Sequence, residues 1–191
     1  MASNISIYFK SSLSDSLKKK YVNYLKSTPN CPNNNEKITG QIIKIFSTNL
    51  TGKITSYSKS VAIFNWVKQK EKYDFYENTK WGAVKSLDRI LNTKDANMNC
   101  ADHSHLVNAM LRTVGIPAFY GNAVCDFGSD NFPHYWSMAY IESSSKWVYL
   151  DAIHSYYKYD NPPWKIVSTN GRGAFYSVSD LKIKANIKLR R

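Results

Sequence analysis

The stretch that decides the fold is NCADHSHLVNAMLRTVGIPA, residues 99–118. Its apolar residues recur on one face of a helix before a glycine and a proline end the pattern. These residues are Leu106, Val107, Met110, Leu111 and Val114, followed by Gly115 and Pro117. We therefore predict a helix with Cys100 in its first turn. The unpaired backbone N–H groups and the positive end of the helix dipole favour a thiolate there, and the same amides can bind an oxyanion.

Two strands are predicted downstream of this helix, at residues 135–141 and 146–150. Both segments are rich in aromatic and β-branched residues, and a short polar loop separates them. They are typical of a hairpin. The simplest register places Ile141 opposite Lys146.

This register brings together two polar residues at one end of the hairpin. His134 and Asp151 become diagonal neighbours on the same side, roughly 7–8 Å apart at the backbone, which an imidazole can bridge to a carboxylate. We expect Asp151 to orient His134. His134 would then act as general base toward the Cys100 thiol and as general acid toward a leaving amine. A slip of one residue would separate the pair.

The order of these residues resembles a known family. The similar segments are SVAIFNWVKQKEKYDFYENTKWGAVKSLDRI (60–90), NCADHSHLVNAMLRTVGIPA (99–118), HYWSMAYI (134–141) and KWVYLDA (146–152). Together they resemble the transglutaminase-like superfamily of papain-related folds. Within it, they are most similar to the catalytic domain of the pseudomurein endoisopeptidases, lytic enzymes of methanogen viruses and prophages. The likeness covers roughly the last two-thirds of the chain, and the Cys, His, Asp order is quite specific.

The resemblance implies catalytic roles for Cys100, His134 and Asp151. It also implies hydrolysis of the isopeptide bond between an alanine carbonyl and a lysine side-chain amine in pseudomurein cross-links. We expect an α+β, papain-like fold, in which an N-terminal helical lobe with the nucleophile helix packs on a small antiparallel sheet. Many members have a glycine just before the cysteine, where this chain has Asn99.

Further residues are candidates for binding. Tyr76 and Asn99 are expected near the oxyanion, with Tyr76 as the favoured side-chain donor. Trp164 and Tyr157 lie in an aromatic segment that either builds a substrate groove or covers the hydrophobic face of the hairpin.

The other polar residues near the predicted site are expected to support it. Asp102 and His154 are interpreted as structural or as supporting residues. His103 and His105 are two apart on a helix, so they point to different faces and do not suit a shared metal.

Length and composition indicate one catalytic domain. The chain has 191 residues, 43% of them hydrophobic, which is enough for one core. We divide it into an N-terminal helical segment, 1–55, and a peptidase core, 56–191. No apolar run approaches the roughly 20 residues that span a bilayer, and the start lacks a signal-peptide pattern. We expect a monomer that is made in the host cytoplasm and reaches the cell wall on lysis.

The three cysteines form neither an even disulfide framework nor a metal-binding CxxC pattern. Cys31 and Cys125 are interpreted as structural, and a reactive thiol at Cys100 requires reducing conditions. We expect no cofactor. Calcium dependence stays open by analogy with other superfamily members, although no acidic loop of the EF-hand type is present.

The formal net charge of +12 restricts the choice of partner. The lysines are scattered along the chain without a recognised nucleic-acid motif, so we expect no nucleic-acid partner. A basic surface would instead attract an anionic polymer such as a carboxylate-rich wall, more weakly at high salt.

Two alternative functions remain. The triad would serve equally in a protein transglutaminase acting on glutamine side chains, because an amine instead of water can attack the thioester. A catalytically silent wall-binding module is the other alternative, and the complete set of Cys, His and Asp argues against it.

Overall fold

The computed structural model describes residues 5–70, 72–76, 78–94, 97–128, 131–154, 156–158, 165–167 and 175–177, with 156–158 and 175–177 described by backbone only. The α-helices in these ranges are α1 Ser6–Phe9, α2 Asp15–Lys20, α3 Glu36–Asn49, α4 Ser56–Lys70, α5 Gly82–Asn92 and α6 Cys100–Thr113. Two short 3₁₀ helices cover Val22–Tyr24 and Glu142–Ser144. The strands are β1 Lys72–Tyr73, β2 Asn97–Met98, β3 Ala118–Asp126, β4 Asn131–Ile141, β5 Lys146–Asp151, β6 Tyr156–Lys158, β7 Lys165–Val167 and β8 Phe175–Ser177.

An antiparallel sheet carries most of these strands. Its order is β6-β5-β4-β3-β7, and β8 also pairs with β3. The remaining strands, β1 and β2, form a separate parallel pair in which Tyr73 lies opposite Met98. This small pair joins the segment before α5 to the residues that lead directly into α6.

The helix α6 is the centre of the fold. It packs against α3, α4 and α5 and against strands β3 and β4. Every residue from Cys100 to Arg112 is buried, so this helix is covered on all sides rather than on one apolar face. Several of its buried polar side chains are hydrogen-bonded; the Arg112 guanidinium, for example, donates to the carbonyls of Ala118 and Lys26.

The α+β fold predicted from the sequence is confirmed, with helices packed on an antiparallel sheet. α6 begins at Cys100 as predicted. The boundary proposed between residues 55 and 56 falls immediately before α4 and stays a prediction. Among the described residues, no helix is long and apolar enough to cross a membrane.

Two boundaries differ from the sequence prediction. The helix expected from residue 14 to 25 ends at Lys20, because Tyr21 turns inward to pack on Tyr140 and Trp147 at ring-centroid distances of 4.6 and 5.5 Å. Strand β4 starts at Asn131, four residues before the predicted 135. The extension was not predicted because Pro133 lies within it, and a proline normally indicates that a segment is not the interior of a strand.

Candidate active site

The nucleophile position is built by the start of α6. Asn99 precedes the helix in an extended conformation, with φ −85° and ψ 175°, and its side-chain oxygen accepts a hydrogen bond from the Asp102 amide. An asparagine therefore replaces the glycine common in the family without backbone strain, and it caps the helix. Cys100 is the first helical residue and is buried.

The hairpin has the register predicted from the sequence, with Ile141 opposite Lys146. The His134 Nε2 and the Asp151 Oδ2 lie 2.6 Å apart. The Cys100 side chain lies close enough to His134 to contribute to the raised pKa of that imidazole, and because Nε2 faces Asp151, Nδ1 is the nitrogen left for the thiol. The structure thus brings the three predicted residues into one contiguous set.

The charges within this set support one another. Burial opposes protonation of His134, but the adjacent Asp151 carboxylate outweighs it and raises the pKa of His134. Burial also disfavours an ionised Asp151, yet the two neighbouring histidines lower the pKa of Asp151. An imidazolium between a carboxylate and a thiol stabilises a thiolate.

His154 is a second imidazole partner of Asp151. Its Nδ1 lies 2.7 Å from Asp151 Oδ2, and its backbone amide and that of Ile153 donate to Oδ1. The His154 ring stacks on Phe127 with centroids 4.8 Å apart and planes 8° apart. The carboxylate is thereby held in one orientation toward His134, which agrees with the supporting role expected for His154.

A fully buried carboxylate, Asp102, ties a neighbouring segment to the nucleophile helix. It accepts hydrogen bonds from the Tyr76 hydroxyl at 2.6 Å and from the backbone amides of Lys80, Trp81 and Gly82 at 2.9–3.1 Å. A buried anion surrounded by four donors is well satisfied. Asp102 consequently holds the chain segment before α5 against the first turn of α6.

This arrangement shows the partners of Tyr76, whose expected role toward an oxyanion stays a prediction. Its hydroxyl proton goes to Asp102, and its oxygen accepts from the Asn99 amide at 3.1 Å. Burial, followed by the hydrogen bond to Asp102, raises the pKa of Tyr76, so the hydroxyl stays protonated in this contact. In this structure the Tyr76 hydroxyl connects its segment to Asp102 and Asn99 at the start of α6, and its proton is donated to Asp102.

The Asn99 side chain is likewise fully engaged. Besides capping the helix, its amide nitrogen donates to the carbonyls of Tyr76 and Asn78 at 3.1 and 2.8 Å. The expected contact of Asn99 with substrate is therefore not supported. Trp164 lies outside the described residues, as does the side chain of Tyr157, so their expected binding roles stay predictions.

The remaining helix histidines are structural. Burial lowers the pKa of His103 to about 4 and keeps its ring neutral. His105 bridges the Thr79 and Tyr120 hydroxyls, both at 2.9 Å.

One group of side chains could in principle hold a metal. The ligand atoms of His134, Asp151 and His154 lie within 4.8 Å of one another. Two imidazoles and one carboxylate suit a transition metal better than calcium, which prefers six or more oxygens.

Sequence reasoning missed four aromatic residues that line a cavity beside His134. They are Tyr73, Phe75, Phe127 and Phe132. A signal was present, because the segments at 72–76 and 126–134 concentrate aromatic residues close to the predicted triad. Nothing in their local pattern, however, indicates that the two segments meet.

Comparisons with solved structures concern the fold. A solved structure from Cytophaga hutchinsonii, described as a candidate cysteine protease, superposes with a TM-score of 0.54 at 20% identity over 87% of this chain. This chain spans 54% of that one, so the likeness concerns the fold alone. Legionella pneumophila LapG gives a TM-score of 0.48 at 16% identity, covering 91% of this chain and 93% of that chain.

A comparison with curated proteins gives no significant match. The model of the transglutaminase-like superfamily, by contrast, matches residues 45–152, which is more than half of the chain and includes Cys100, His134 and Asp151. The chain therefore belongs to the transglutaminase-like superfamily.

Proposed function

We propose that this protein is a cysteine endoisopeptidase that hydrolyses the bond between an alanine carbonyl and a lysine ε-amine in pseudomurein cross-links. The observation that carries the proposal is the placement of Cys100, at the start of a buried helix, beside His134, whose imidazole Nε2 lies 2.6 Å from the Asp151 carboxylate. The resemblance of the surrounding segments to pseudomurein endoisopeptidases supports the choice of substrate.

The reaction follows from the roles of these groups. The Cys100 thiolate attacks the alanine carbonyl carbon, and the C–N bond breaks as His134 gives its proton to the lysine nitrogen. A water molecule then attacks the thioester while His134 takes the proton of that water. The carboxylic acid leaves, and the Cys100 thiolate and the His134 imidazolium are restored.

Backbone amides of α6 are suited to hold the oxyanion. Those of Asp102 and His103 already donate to Asn99, which leaves the amides of Cys100 and Ala101 at the helix N-terminus. Donors of this kind commonly account for about 3–4 kcal/mol of transition-state stabilisation.

The net charge of the chain fits a polyanionic wall. We expect binding to isolated sacculi to weaken as salt screens the attraction. A sedimentation assay in which the bound fraction is the same at low and high salt would contradict this part of the proposal.

Activity is tested with reduced protein and isolated pseudomurein sacculi. We expect the parent protein to reduce turbidity and to release lysine ε-amines, detected by mass spectrometry, and Cys100→Ala to do neither. Cys31→Ala is the matched control, because Cys31 is a second buried cysteine without a role in the proposed reaction, and this variant should retain lysis.

The same assay separates the alternatives. Incorporation of an added primary amine with release of ammonia, and without new lysine amines, would assign a transglutaminase acting on glutamine side chains in place of the endoisopeptidase. Binding to sacculi with no chemical change by either protein would replace the proposal with a wall-binding module.

A further inference from the structure

Three potential metal ligands meet behind the His134 imidazole, at the nitrogen that faces away from the thiol. The His134 Nε2 and the His154 Nδ1 lie 2.6 and 2.7 Å from the same carboxylate oxygen, Asp151 Oδ2. All three ligand atoms lie within 4.8 Å of one another. A catalytic triad requires only one imidazole on its carboxylate, so His154 adds a nitrogen that takes no part in the proposed proton transfers.

This donor set suits a divalent transition metal of the zinc type. Enzymes commonly bind Zn²⁺ with two imidazoles and one carboxylate at roughly 2.0–2.2 Å, leaving a fourth position open to water. Tetrahedral ligands at that distance lie roughly 3.3 Å apart, so each histidine–aspartate contact would lengthen by roughly 0.6–0.7 Å. The His154 side chain is 35% exposed, and small side-chain rotations there provide a shift of this size.

The surroundings give a cation access to these ligands. A cavity of about 480 Å³ has both histidines in its wall, so an ion and its water ligands can reach the two rings from there. The other described lining residues are four aromatic rings, Pro133 and Ile153, and none of the described lining residues is a lysine or an arginine that would repel the ion. The Asp151 side chain is only 2% exposed, and water screens its attraction for a cation weakly.

We propose that His134, Asp151 and His154 form a binding site for a divalent transition-metal ion such as Zn²⁺, and that its occupancy blocks the cysteine chemistry. The binding site rests on the geometry, whereas the block rests on the proposed function. Coordination uses the Nε2 lone pair of His134 and the Nδ1 lone pair of His154, so each neutral ring keeps its proton on the other nitrogen. His134 then has no lone pair for the thiol proton of Cys100. The ion is an inhibitor and not a cofactor.

Cobalt(II) is the probe of the site, because its visible absorption reports coordination geometry and a bound thiolate adds a charge-transfer band in the near ultraviolet. The Cys100→Ala protein is titrated with Co²⁺, so that the ion cannot be held by the thiol and the opposite nitrogen of His134. We expect a tetrahedral spectrum without the thiolate band. Zn²⁺ should displace Co²⁺, and Ca²⁺ should not, because Ca²⁺ prefers six or more oxygen ligands.

A second substitution in the Cys100→Ala protein, His154→Asn, separates metal ligation from hydrogen bonding. The asparagine amide can still donate to Asp151 from near the position of Nδ1, but it is not among the ligands that Zn²⁺ prefers. We expect the affinity for Co²⁺ to fall by more than the roughly 10–100-fold that loss of an outer-shell partner costs. Asp88→Asn is the matched control, because it removes a half-exposed carboxylate on α5. It should retain the affinity of the Cys100→Ala protein.

The block is measured separately, on the turbidity of sacculi, with a phosphine reductant because thiols bind Zn²⁺. Zn²⁺ should stop cleavage by the parent protein, and a chelator should restore it. The Zn²⁺ concentration that halves the rate should rise in His154→Asn, with each rate taken relative to that of the same protein without zinc. Cleavage that continues when the site is saturated would overturn the block.

The outcomes distinguish this inference from the proposed function. Co²⁺ binding that requires the Cys100 thiol, or that is unchanged by His154→Asn, would overturn the site even if sacculi are cleaved. A parent protein that binds the metal at this site and does not cleave sacculi would overturn the wall substrate and retain the metal site.

Discussion

Replacing Asp102 by asparagine should destabilise the fold by about 3 kcal/mol. The carboxylate is fully buried and accepts four hydrogen bonds, from the Tyr76 hydroxyl and from the amides of Lys80, Trp81 and Gly82. Asparagine keeps the shape of the side chain but replaces one accepting oxygen with an NH₂ donor. Two of the four donors then face another donor.

The magnitude follows from the partners of each oxygen. With the NH₂ at the Oδ2 position, the Tyr76 hydroxyl can turn to accept, but the Lys80 amide loses its partner in this partly buried contact, which costs about 1–3 kcal/mol. The two bonds to Oδ1 also change from charge-assisted to neutral, losing about half their strength. The sum is a large part of the roughly 5–15 kcal/mol that typically stabilises a domain.

Urea unfolding followed by circular dichroism measures this change in the free energy of unfolding. The urea concentration at the midpoint should fall, while the slope of the free energy against urea concentration stays constant. The matched control is Asp88→Asn, which removes a half-exposed carboxylate whose ion pair with Lys37 spans 2.9 Å. We expect a loss within about 0.5 kcal/mol there. A loss below about 1 kcal/mol for Asp102→Asn, with an unchanged slope, would refute the reasoning, because a buried carboxylate that accepts four hydrogen bonds cannot be neutralised at so small a loss of stability.

Two further variants probe the core. Burial lowers the pKa of Lys59 from 10.5 to about 8, so the folded state releases this proton while the unfolded state still binds it. The parent should therefore gain up to about 3 kcal/mol relative to Lys59→Met as pH rises from 8 to 10.5; a difference in unfolding free energy that is constant over this range would contradict the burial effect. A Cβ at Gly121 would lie 2.1 Å from the Trp136 indole, so Gly121→Ala should cost about 1–3 kcal/mol. A Cβ at Gly40 in α3 would have no neighbour within 4 Å, so Gly40→Ala should add about 0.5–1 kcal/mol of stability in the same urea unfolding measurement; equal effects of the two glycine variants would show that Trp136 does not pack on Gly121.

Local patterns were sufficient to predict the parts of the site that lie on regular elements. The 3.6-residue periodicity after Cys100 predicted the central helix and its first residue, and the short polar loop of the hairpin predicted the register that aligns His134 with Asp151. Patterns of this kind are readable because each side chain direction follows from its position in the element.

The partners of Tyr76 and Asn99 were not predictable in the same way. Both residues looked available for an oxyanion, and both are engaged by groups that become neighbours only after folding. Asp102 shows the reason, since its four donors come from a segment some 20 residues earlier that has no periodic signal. A buried carboxylate needs hydrogen-bond donors, but local sequence patterns do not show which residues supply them.

The sequence by itself determined where the nucleophile helix starts and which face of the hairpin carries His134 and Asp151, because short-range periodicity dictates side-chain direction within one element. Only the tertiary structure decided that Asp102 binds the segment before α5 and that Phe75 meets Phe132 across a cavity. Those contacts join loops and strand ends distant in sequence, and their geometry depends on how separate elements pack, which local backbone preferences do not encode.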